Sequence, residues 1–372
     1  MKKVKLKAKY VSILKIIGII ACILLGIFLF YLKQIHDLEE IGYSRESSKN
    51  ILFSLKKDYV LSIGENESLN AAFSSPFYDE ANLDSYRKVK YVPQKDFIKN
   101  INKLLEIGYS ISDINIIFAH GDNDSVGEFT KREKIKYLEE FYVVDYAKLE
   151  NYDRYVKYSD ETGEDEETTV LYVNLDMDKE DYKDAVLVSK FSNDMLINKH
   201  RYLDEKFEPT DLTTIDSKYA ADSGMKASRI AINAFAEMEK AASTEGMELV
   251  INSSYRSYQD QVDISDTYLK LYGQSYVERY VAKPGYSEHQ TGLAFDIGSR
   301  NSNVFANSKE YEWMLENAYK YGFILRFPKK YETITGFRSE PWHYRYVGKK
   351  IAKHIYENDM TLEEYYAIFL DK

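Results

Sequence analysis

Two short stretches of the chain constrain its fold most, because their side chains form a plausible site only if the fold brings them together. His289 and Asp296 stand seven residues apart in SEHQTGLAFD, and His343 follows Glu340 by three residues in EPWHYRY. Two imidazoles, one ligand carboxylate and one spare carboxylate are the groups of a catalytic zinc with an open position and a general base. The sequence therefore predicts His289, Asp296 and His343 as metal ligands.

The glycine and proline of these stretches indicate how the groups are presented. Gly292 allows a sharp backbone turn, so we expect His289 on a loop and Asp296 on the strand that follows. Pro341 cannot donate to a sheet, which places Glu340 on the loop ahead of a strand at 342–346. We therefore expect Glu340 to reach a water at the metal as general base without being a ligand.

The order of these motifs resembles that of a known superfamily. S-x-H-x-x-G-x-A-x-D at 287–296, followed by E-x-x-H at 340–343, resembles the signature of the lysostaphin, D-Ala-D-Ala metallopeptidase and hedgehog superfamily. Y-R-S-Y-x-x-Q at 255–261 and E-P-W-H at 340–343 make the chain similar to the VanY-type carboxypeptidases. The resemblance covers residues 185–372. It implies a Zn²⁺ enzyme that removes the C-terminal D-alanine from peptidoglycan stem peptides ending in D-Ala.

Further site residues follow from the guanidinium chemistry of Arg256 and from the resemblance. The planar fork of Arg256 suits a carboxylate or an oxyanion, and the resemblance implies that it contacts the reacting end of the substrate. The alternative is a salt bridge to one of many acidic neighbours. By resemblance alone, Gln261 lies near the site, and Ser287 and Tyr255 are candidate substrate contacts.

Two other functions remain open for the same residues. An L,D-carboxypeptidase acting on tetrapeptide stems would use the same metal and base, so the motifs cannot separate it from a D,D-enzyme. A cell-wall-binding module that has lost catalysis is the alternative from another class. The complete ligand set together with Glu340 argues against that module.

The N-terminal residues 1–32 predict a membrane anchor. Five lysines occur among the first nine residues, and an uncharged apolar run extends from Ile16 to Leu32. That length is close to the minimum for a spanning helix, and no A-x-A-like cleavage site follows. Lysines stay in the cytoplasm by the positive-inside rule, so we expect a single-pass protein of the cell membrane whose C-terminal part is extracellular.

Charge and cysteine content limit the partners and the stabilising devices. Removing the six lysines of residues 1–32 from the formal net charge of −10 leaves about −16, which argues against nucleic acid as a partner. Cys22 is the only cysteine, so the exported part has no disulfide of its own. A chain rich in Lys, Ile, Asn and Tyr is typical of a Gram-positive bacterium with an AT-rich genome.

Between the anchor and the motifs, residues 33–184 predict a small α+β region of unknown role. Helical periodicity covers 94–107, and Ser110 with Asp113 predicts a capped helix ending near residue 120. Alternation at 152–158 and 168–174 predicts a β-hairpin with a solvated acidic tip at 159–167.

Residues 185–372 predict an α+β catalytic domain with a central antiparallel sheet flanked by helices. No βαβ rhythm connects its elements. We expect strands at 249–253, 323–327 and 342–346, and helices at 225–242, 257–271, 308–322, 351–358 and 362–370.

Overall fold

The computed structural model describes residues 2–135 and 138–371, and for residues 2–9 it describes the backbone alone. The side chains of the five lysines among residues 2–9 therefore lie outside the described part. The chain divides into two compact units, Met1–Tyr152 and Asp153–Lys372.

In the part of the first unit that the structure describes, all regular elements are helices. Its helices are α1 Lys2–Glu40, α2 Arg45–Phe53, α3 Lys57–Ile63, α4 Glu67–Ser74, α5 Leu83–Lys88, α6 Phe97–Ile107, α7 Ile111–His120, α8 Asn123–Phe129, α9 Leu138–Tyr142 and the start of α10 Tyr152–Thr162. The predicted helices at 94–107 and 111–120 are confirmed, and Ser110 and Asp113 form the predicted capping box at the start of α7.

The first unit contains an internal repeat that the sequence analysis missed. The segments Glu40–Ser44 and Glu106–Ser110 are both EIGYS, 66 residues apart. Each segment contains the end of a helix, and a glycine in the left-handed region follows within two residues, Gly42 at φ 97° and Gly108 at φ 99°. A glycine tolerates this backbone conformation without the steric cost of a Cβ. The two segments are therefore copies of one helix-to-helix corner.

The hydrogen bonds of the two corners match. The amide of Tyr43 donates to the carbonyl of Leu38, and that of Tyr109 donates to the carbonyl of Leu104. The serine that follows each tyrosine caps the next helix, α2 or α7. Leu38 and Leu104 are both fully buried, and Tyr43 and Tyr109 are buried as well.

The helix α1 joins an apolar segment to the core of the first unit without a break. Within the described residues, one helix is long and apolar enough to cross a membrane, at Tyr10–Glu40, where an 18-residue window has a mean hydropathy of 2.9. The last turns of the same helix bury Ile35 and Leu38 and pack against α2. Asp37 accepts a hydrogen bond from Lys57 on α3 at 2.9 Å.

The predicted hairpin at 152–174 is wrong, because both segments are helices, α10 and α11 (Glu166–Asn174). The acidic tip contains a helix start, since the Asp165 side chain accepts a hydrogen bond from the Thr168 amide. Tyr155 on α10 donates to Asn174 on α11 at 2.6 Å, and both residues are buried. Tertiary packing thus overrides the β-propensity of the tyrosines, valines and threonines. The strands expected within 33–184 are absent from the described part of that region.

The second unit is an α+β structure, as the sequence predicts. Its further helices are α12 Arg229–Thr244, α13 Tyr258–Tyr272, α14 Gln274–Tyr280, α15 Lys309–Asn317, α16 Glu332–Thr335, α17 Lys349–Glu357 and α18 Leu362–Tyr365. Its strands are β1 Val186–Leu187, β2 Arg201–Tyr202, β3 Leu212–Thr214, β4 Lys226–Ser228, β5 Leu249–Ser253, β6 Ala294–Ser299, β7 Phe323–Leu325 and β8 His343–Tyr346.

The last four strands, β5 to β8, form one antiparallel sheet in the order β5-β6-β8-β7. Strand β6 alternates between two environments, because Phe295 and Ile297 join the apolar core while Asp296 faces the other way. Phe235 of α12 packs edge-on against Phe295, with ring centroids 5.9 Å apart. The central antiparallel sheet flanked by helices is confirmed.

The first unit ends before the domain boundary that the sequence predicts at residue 184. The helix α11 contacts the C-terminal turn Tyr366–Leu370 and thereby belongs to the second unit. The assignment of residues 185–372 as the catalytic domain stays a prediction.

Candidate active site

His289 is held by a short turn ahead of β6. Gly292 adopts φ 66°, and a Cβ at this position would lie 2.9 Å from the backbone nitrogen of Ser228, so both conformation and space require glycine. His289 Nδ1 is 2.7 Å from the carbonyl oxygen of Ser254. That hydrogen bond orients the ring with the proton on Nδ1 and leaves Nε2 as the nitrogen available to a metal.

The sheet register places the other two predicted ligands side by side. Asp296 of β6 is directly opposite His343 of β8, and such cross-strand pairs have Cβ atoms about 4.5–5.5 Å apart. Asp296 Oδ1 is 3.4 Å from His289 Nε2 and 3.3 Å from His343 Nδ1. One donor atom from each of the three residues lies within 4.8 Å of the other two.

These positions fit a tetrahedral zinc ion. Zinc binds imidazole nitrogen and carboxylate oxygen at about 2.0–2.2 Å, so two ligand atoms of a tetrahedron are separated by about 3.3 Å. Both measured separations from Asp296 Oδ1 match this value. That oxygen is buried and has no hydrogen-bond partner in the described part of the chain, as expected of an atom reserved for a metal.

The second oxygen of Asp296 is held by Arg256. Arg256 Nη2 donates to Asp296 Oδ2 at 2.9 Å and to Ser253 Oγ at 2.8 Å. Ser253 stands opposite Asp296 across a register shift between β5 and β6, which brings its hydroxyl to the guanidinium. The structure thus shows the salt bridge that was the alternative for Arg256, and that salt bridge fixes which carboxylate oxygen faces His289.

Glu340 lies beside the three donor atoms and is not one of them. Its Oε2 is 3.5 Å from His343 Nδ1, and its backbone precedes β8 as expected. Burial raises the pKa of Glu340 above its usual range. A carboxylate with a raised pKa close to an open metal position is suited to accept and return a proton.

The pKa values of His289 and His343 are shifted in opposite directions. Burial, reinforced by the positive charge of Arg256, lowers the pKa of His289 to about 4. Burial also disfavours protonation of His343, but the carboxylates of Asp296 and Glu288 outweigh it and raise its pKa to about 9. The difference follows from His343 having a carboxylate on each side of its ring.

Glu288 is a functional candidate that the sequence analysis missed. Its Oε2 faces His343 Nε2 at 3.4 Å, on the side of the ring away from Asp296. Its Oε1 accepts hydrogen bonds from Arg326 at 2.8 Å and from Arg345 at 2.9 Å. Glu288 is therefore placed to orient His343 through its charge, since neither of the two facing atoms has a hydrogen bond in the described part of the chain.

The partners of Glu288 extend into a buried ionic cluster. Arg326 also forms two hydrogen bonds with Glu363, one of them at 2.8 Å, and Arg345 donates to the Met195 carbonyl at 2.8 Å. All four charged side chains are almost completely buried. Burial would raise the pKa of Glu288, but the two arginines outweigh it and hold the pKa well below its usual range.

One sequence signal could have revealed part of this cluster. His343 and Arg345 are two residues apart on β8 and so share a face, which places a charge next to a ligand on a buried strand. Nothing local in the sequence marks Arg326 or Glu363, because their burial depends on segments far apart in the chain.

A cavity of about 340 Å³ opens over these groups. It is lined by the three donor residues, Glu340 and Arg256, and also by the predicted residues Gln261 and Ser287. Gln261 donates to the Ala282 carbonyl at 2.8 Å, and its Oε1 is 3.5 Å from Arg256 Nη1. Tyr255 is not among the residues that line this cavity, and its amide donates to the Lys226 carbonyl, so its role as a substrate contact stays a prediction.

An antiparallel sheet that aligns two histidines and an aspartate beside a buried glutamate places the chain among the zinc metallopeptidases of the α+β class. The family model VanY, described as D-alanyl-D-alanine carboxypeptidase, matches residues 224–349. The bifunctional D-Ala-D-Ala dipeptidase and D-Ala-D-Ala carboxypeptidase VanXYC of Enterococcus gallinarum is 36% identical over 139 residues, which cover 35% of this chain and 73% of that protein. The chain belongs to the VanY family of carboxypeptidases.

Other similarities cover the same part of the chain. YodJ of Bacillus subtilis (strain 168) is 45% identical over 179 residues, covering 46% of this chain and 66% of that protein. The solved structure of the LdcB LD-carboxypeptidase is 41% identical with a TM-score of 0.46, covering 50% of this chain and 91% of that one. The chain spans between 45% and 66% of the length of the first curated relatives that it matches.

Proposed function

We propose that the protein is a zinc-dependent D-alanyl-D-alanine carboxypeptidase that removes the C-terminal D-Ala from peptidoglycan stem peptides. The observation that carries the proposal is the convergence of His289 Nε2, Asp296 Oδ1 and His343 Nδ1 beside Glu340 in an open cavity. Membership of the VanY family supports the substrate class.

In this proposal His289, Asp296 and His343 bind zinc, which supplies a Lewis acid that polarises the scissile carbonyl and activates water. Glu340 accepts the proton of the attacking water and later donates it to the amine of the departing D-alanine. Its raised pKa suits both steps, because a group that is too acidic would not return the proton.

Arg256 and Gln261 hold the reacting end of the substrate. Arg256 uses Nη2 and Nε for Asp296 and Ser253, which leaves Nη1, 3.5 Å from Gln261 Oε1, as the guanidinium nitrogen for the substrate. A guanidinium N–H at that position recognises a terminal carboxylate or stabilises the developing oxyanion. Ser287, whose hydroxyl accepts from the His289 amide at 3.4 Å, supports the turn that carries the ligand.

The test is the identity of the amino acid that the full-length protein releases. Purified in detergent, the protein is incubated with a stem pentapeptide ending in D-Ala-D-Ala and, separately, with the tetrapeptide. We expect one D-Ala from the pentapeptide, loss of activity with a chelator and recovery with Zn²⁺. Release from the tetrapeptide alone would identify an L,D-carboxypeptidase, and release from neither peptide would favour a wall-binding module.

We also propose that residues 1–32 anchor the protein in the cytoplasmic membrane with the second unit outside. The apolar helix at Tyr10–Glu40 supports the anchor, since its large apolar side chains between Tyr10 and Phe30 are exposed. In intact protoplasts, added protease should then remove a C-terminal tag while the protein remains in the membrane fraction. A soluble protein with a new N-terminus near residue 33 would contradict the proposal.

A further inference from the structure

The hairpin of α13 and α14 exposes an unusual amount of apolar surface. Among the 22 residues of these two helices, Gln261 is the buried one. Tyr272 is 57% exposed, Leu271 65% and Tyr280 46%. A contiguous apolar surface of this kind on a soluble domain generally marks a binding site.

Four tyrosines of the hairpin form one aromatic cluster. Tyr272 lies on Tyr276 with ring centroids 4.6 Å apart, and Tyr268 contacts both at 5.7 and 5.9 Å. Tyr280 continues the cluster at 4.8 Å from Tyr276. Among the described residues, none of the four hydroxyls has a hydrogen-bond partner. The tyrosine cluster therefore presents apolar rings together with unused polar groups.

The tyrosine cluster is continuous with the active-site cavity. Gln261, Ile264 and Tyr268 all line the cavity and are spaced along one face of α13. Tyr276 and Tyr280 line it from α14. One wall of the cavity thus runs from Arg256, which contacts Gln261, to the tyrosine cluster.

The length of this wall matches the length of a stem peptide. Gln261 and Tyr272 are eleven residues apart on α13, which corresponds to about 16 Å at the helical rise. A fully extended pentapeptide spans about 17 Å. If the C-terminal carboxylate of a pentapeptide is at Arg256, its amino end reaches the neighbourhood of Tyr272.

We propose that the tyrosine cluster binds the amino sugar to which the amino end of the stem peptide is attached. The proposal rests on the proposed function, because it needs a stem peptide in the cavity. The sugar is neutral once its carboxyl group is joined to the peptide, so it requires no counter-charge from the hairpin. The C–H faces of its ring pack on the tyrosines, and its hydroxyl groups bond with the unpaired phenols.

The test compares one peptide with and without its sugar. Full-length enzyme is given the stem pentapeptide capped either by an acetyl group or by the natural disaccharide, and kcat/KM is measured for both. We expect the disaccharide to raise kcat/KM, mainly through KM, by about two- to tenfold for each aromatic contact. Tyr268→Ala and Tyr272→Ala should reduce the ratio of the two kcat/KM values towards one.

Two further variants separate the ring from its surroundings. Tyr272→Phe keeps the ring and should retain most of the preference for the disaccharide. Leu271→Ala removes a neighbouring exposed side chain that does not line the cavity and should leave the ratio unchanged. A wild-type ratio of one, or an equal loss on both substrates in Tyr272→Ala, would overturn the proposal.

A binding measurement keeps this inference separate from the proposed function. If neither substrate is hydrolysed, the proposed function fails, and calorimetry with the free disaccharide tests the tyrosine cluster alone. Binding to wild type that is lost in the Tyr268→Ala, Tyr272→Ala double variant would support the sugar site. No binding, or association of the chain with itself through these tyrosines, would overturn it.

Discussion

The two units of the molecule bury different kinds of side chain. The second unit buries Arg326, Arg345, Glu288 and Glu363 as one ionic cluster behind its candidate metal ligands. In the described part of the first unit, the buried polar residues are serines, and the other buried side chains are apolar. Burying charges is expensive and seldom improves stability over apolar packing. The comparison suggests a role for the buried charge in the geometry of the candidate site, whereas the buried side chains of the first unit serve its packing.

The largest effect should come from Glu340, the proposed general base beside the three candidate ligand atoms. Glu340→Gln keeps the shape of the side chain and removes its basic oxygen, so turnover should fall by about three or more orders of magnitude. Zinc content, measured by atomic absorption, should stay close to one per chain. His343→Gln is the matched variant and should lose zinc itself. Equal zinc loss in both variants would contradict the assignment of Glu340 as base.

The second prediction concerns the buried cluster as a source of stability. Arg326→Met leaves buried Glu363 without its arginine partner and Glu288 with Arg345 alone, which should cost about 3–5 kcal/mol of unfolding free energy. The measurement is urea unfolding of the full-length protein.

The control for that variant is an ion pair at the surface. Lys349 and Glu237 are 2.9 Å apart and each is 61% exposed, so Lys349→Met should cost less than about 1 kcal/mol. Comparable losses for Arg326→Met and Lys349→Met would remove the distinction drawn between buried and exposed charge.

The third prediction asks whether the cluster positions a ligand. Glu288→Gln should weaken zinc binding about 10- to 100-fold, because the carboxylate that orients His343 is lost. Competition with a chelator measures the affinity, and circular dichroism verifies the fold. Glu363→Gln also removes a carboxylate partner of Arg326 but does not face His343, so its zinc affinity should change much less. Equal losses would show that Glu288 acts through stability alone.

The smallest effect should appear in the first unit. Gly108 adopts φ 99° with open space around it, so Gly108→Ala should destabilise the corner by about 1 kcal/mol through backbone strain alone. Hydrogen exchange at the amides of α6 and α7 measures this local opening. Gly127→Ala, within a helix and equally unhindered, should be neutral or slightly stabilising. Neither change should alter the activity of the second unit.

The sequence predictions succeed where a local pattern determines the backbone, and they fail where the structure depends on segments far apart in the chain. His289, Asp296 and His343 lie in motifs whose glycine, proline and strand pattern determine the local backbone, and the sheet register then joins the motifs. In the buried cluster around Glu288, Arg326 follows β7 and Glu363 lies on α18, so no local pattern indicates these two residues. The sequence left two roles open for Arg256, a substrate contact and a salt bridge. Its contact with Asp296 arises from a register shift that periodicity cannot reveal.

At the start of the second unit, prediction failed where local preference and tertiary packing disagree. Residues 152–158 and 168–174 have the composition of strands, yet Tyr155 and Asn174 are buried against each other as parts of two helices. The repeated EIGYS is visible in the sequence alone, because an identical pentapeptide that contains a glycine suggests a repeated turn. A search for internal repeats would have indicated a helical unit.

The unbroken helix α1 has a mechanical consequence. Between Lys2 and Glu40 there is no proline or other break that could act as a joint, and Ile35 and Leu38 are packed into the first unit. A helix in a bilayer adjusts its tilt to the thickness of the hydrocarbon layer. With the apolar segment in a membrane, a change in bilayer thickness would therefore rotate the helices packed on Ile35 and Leu38 by the same angle, so that lipid composition sets the orientation of the first unit.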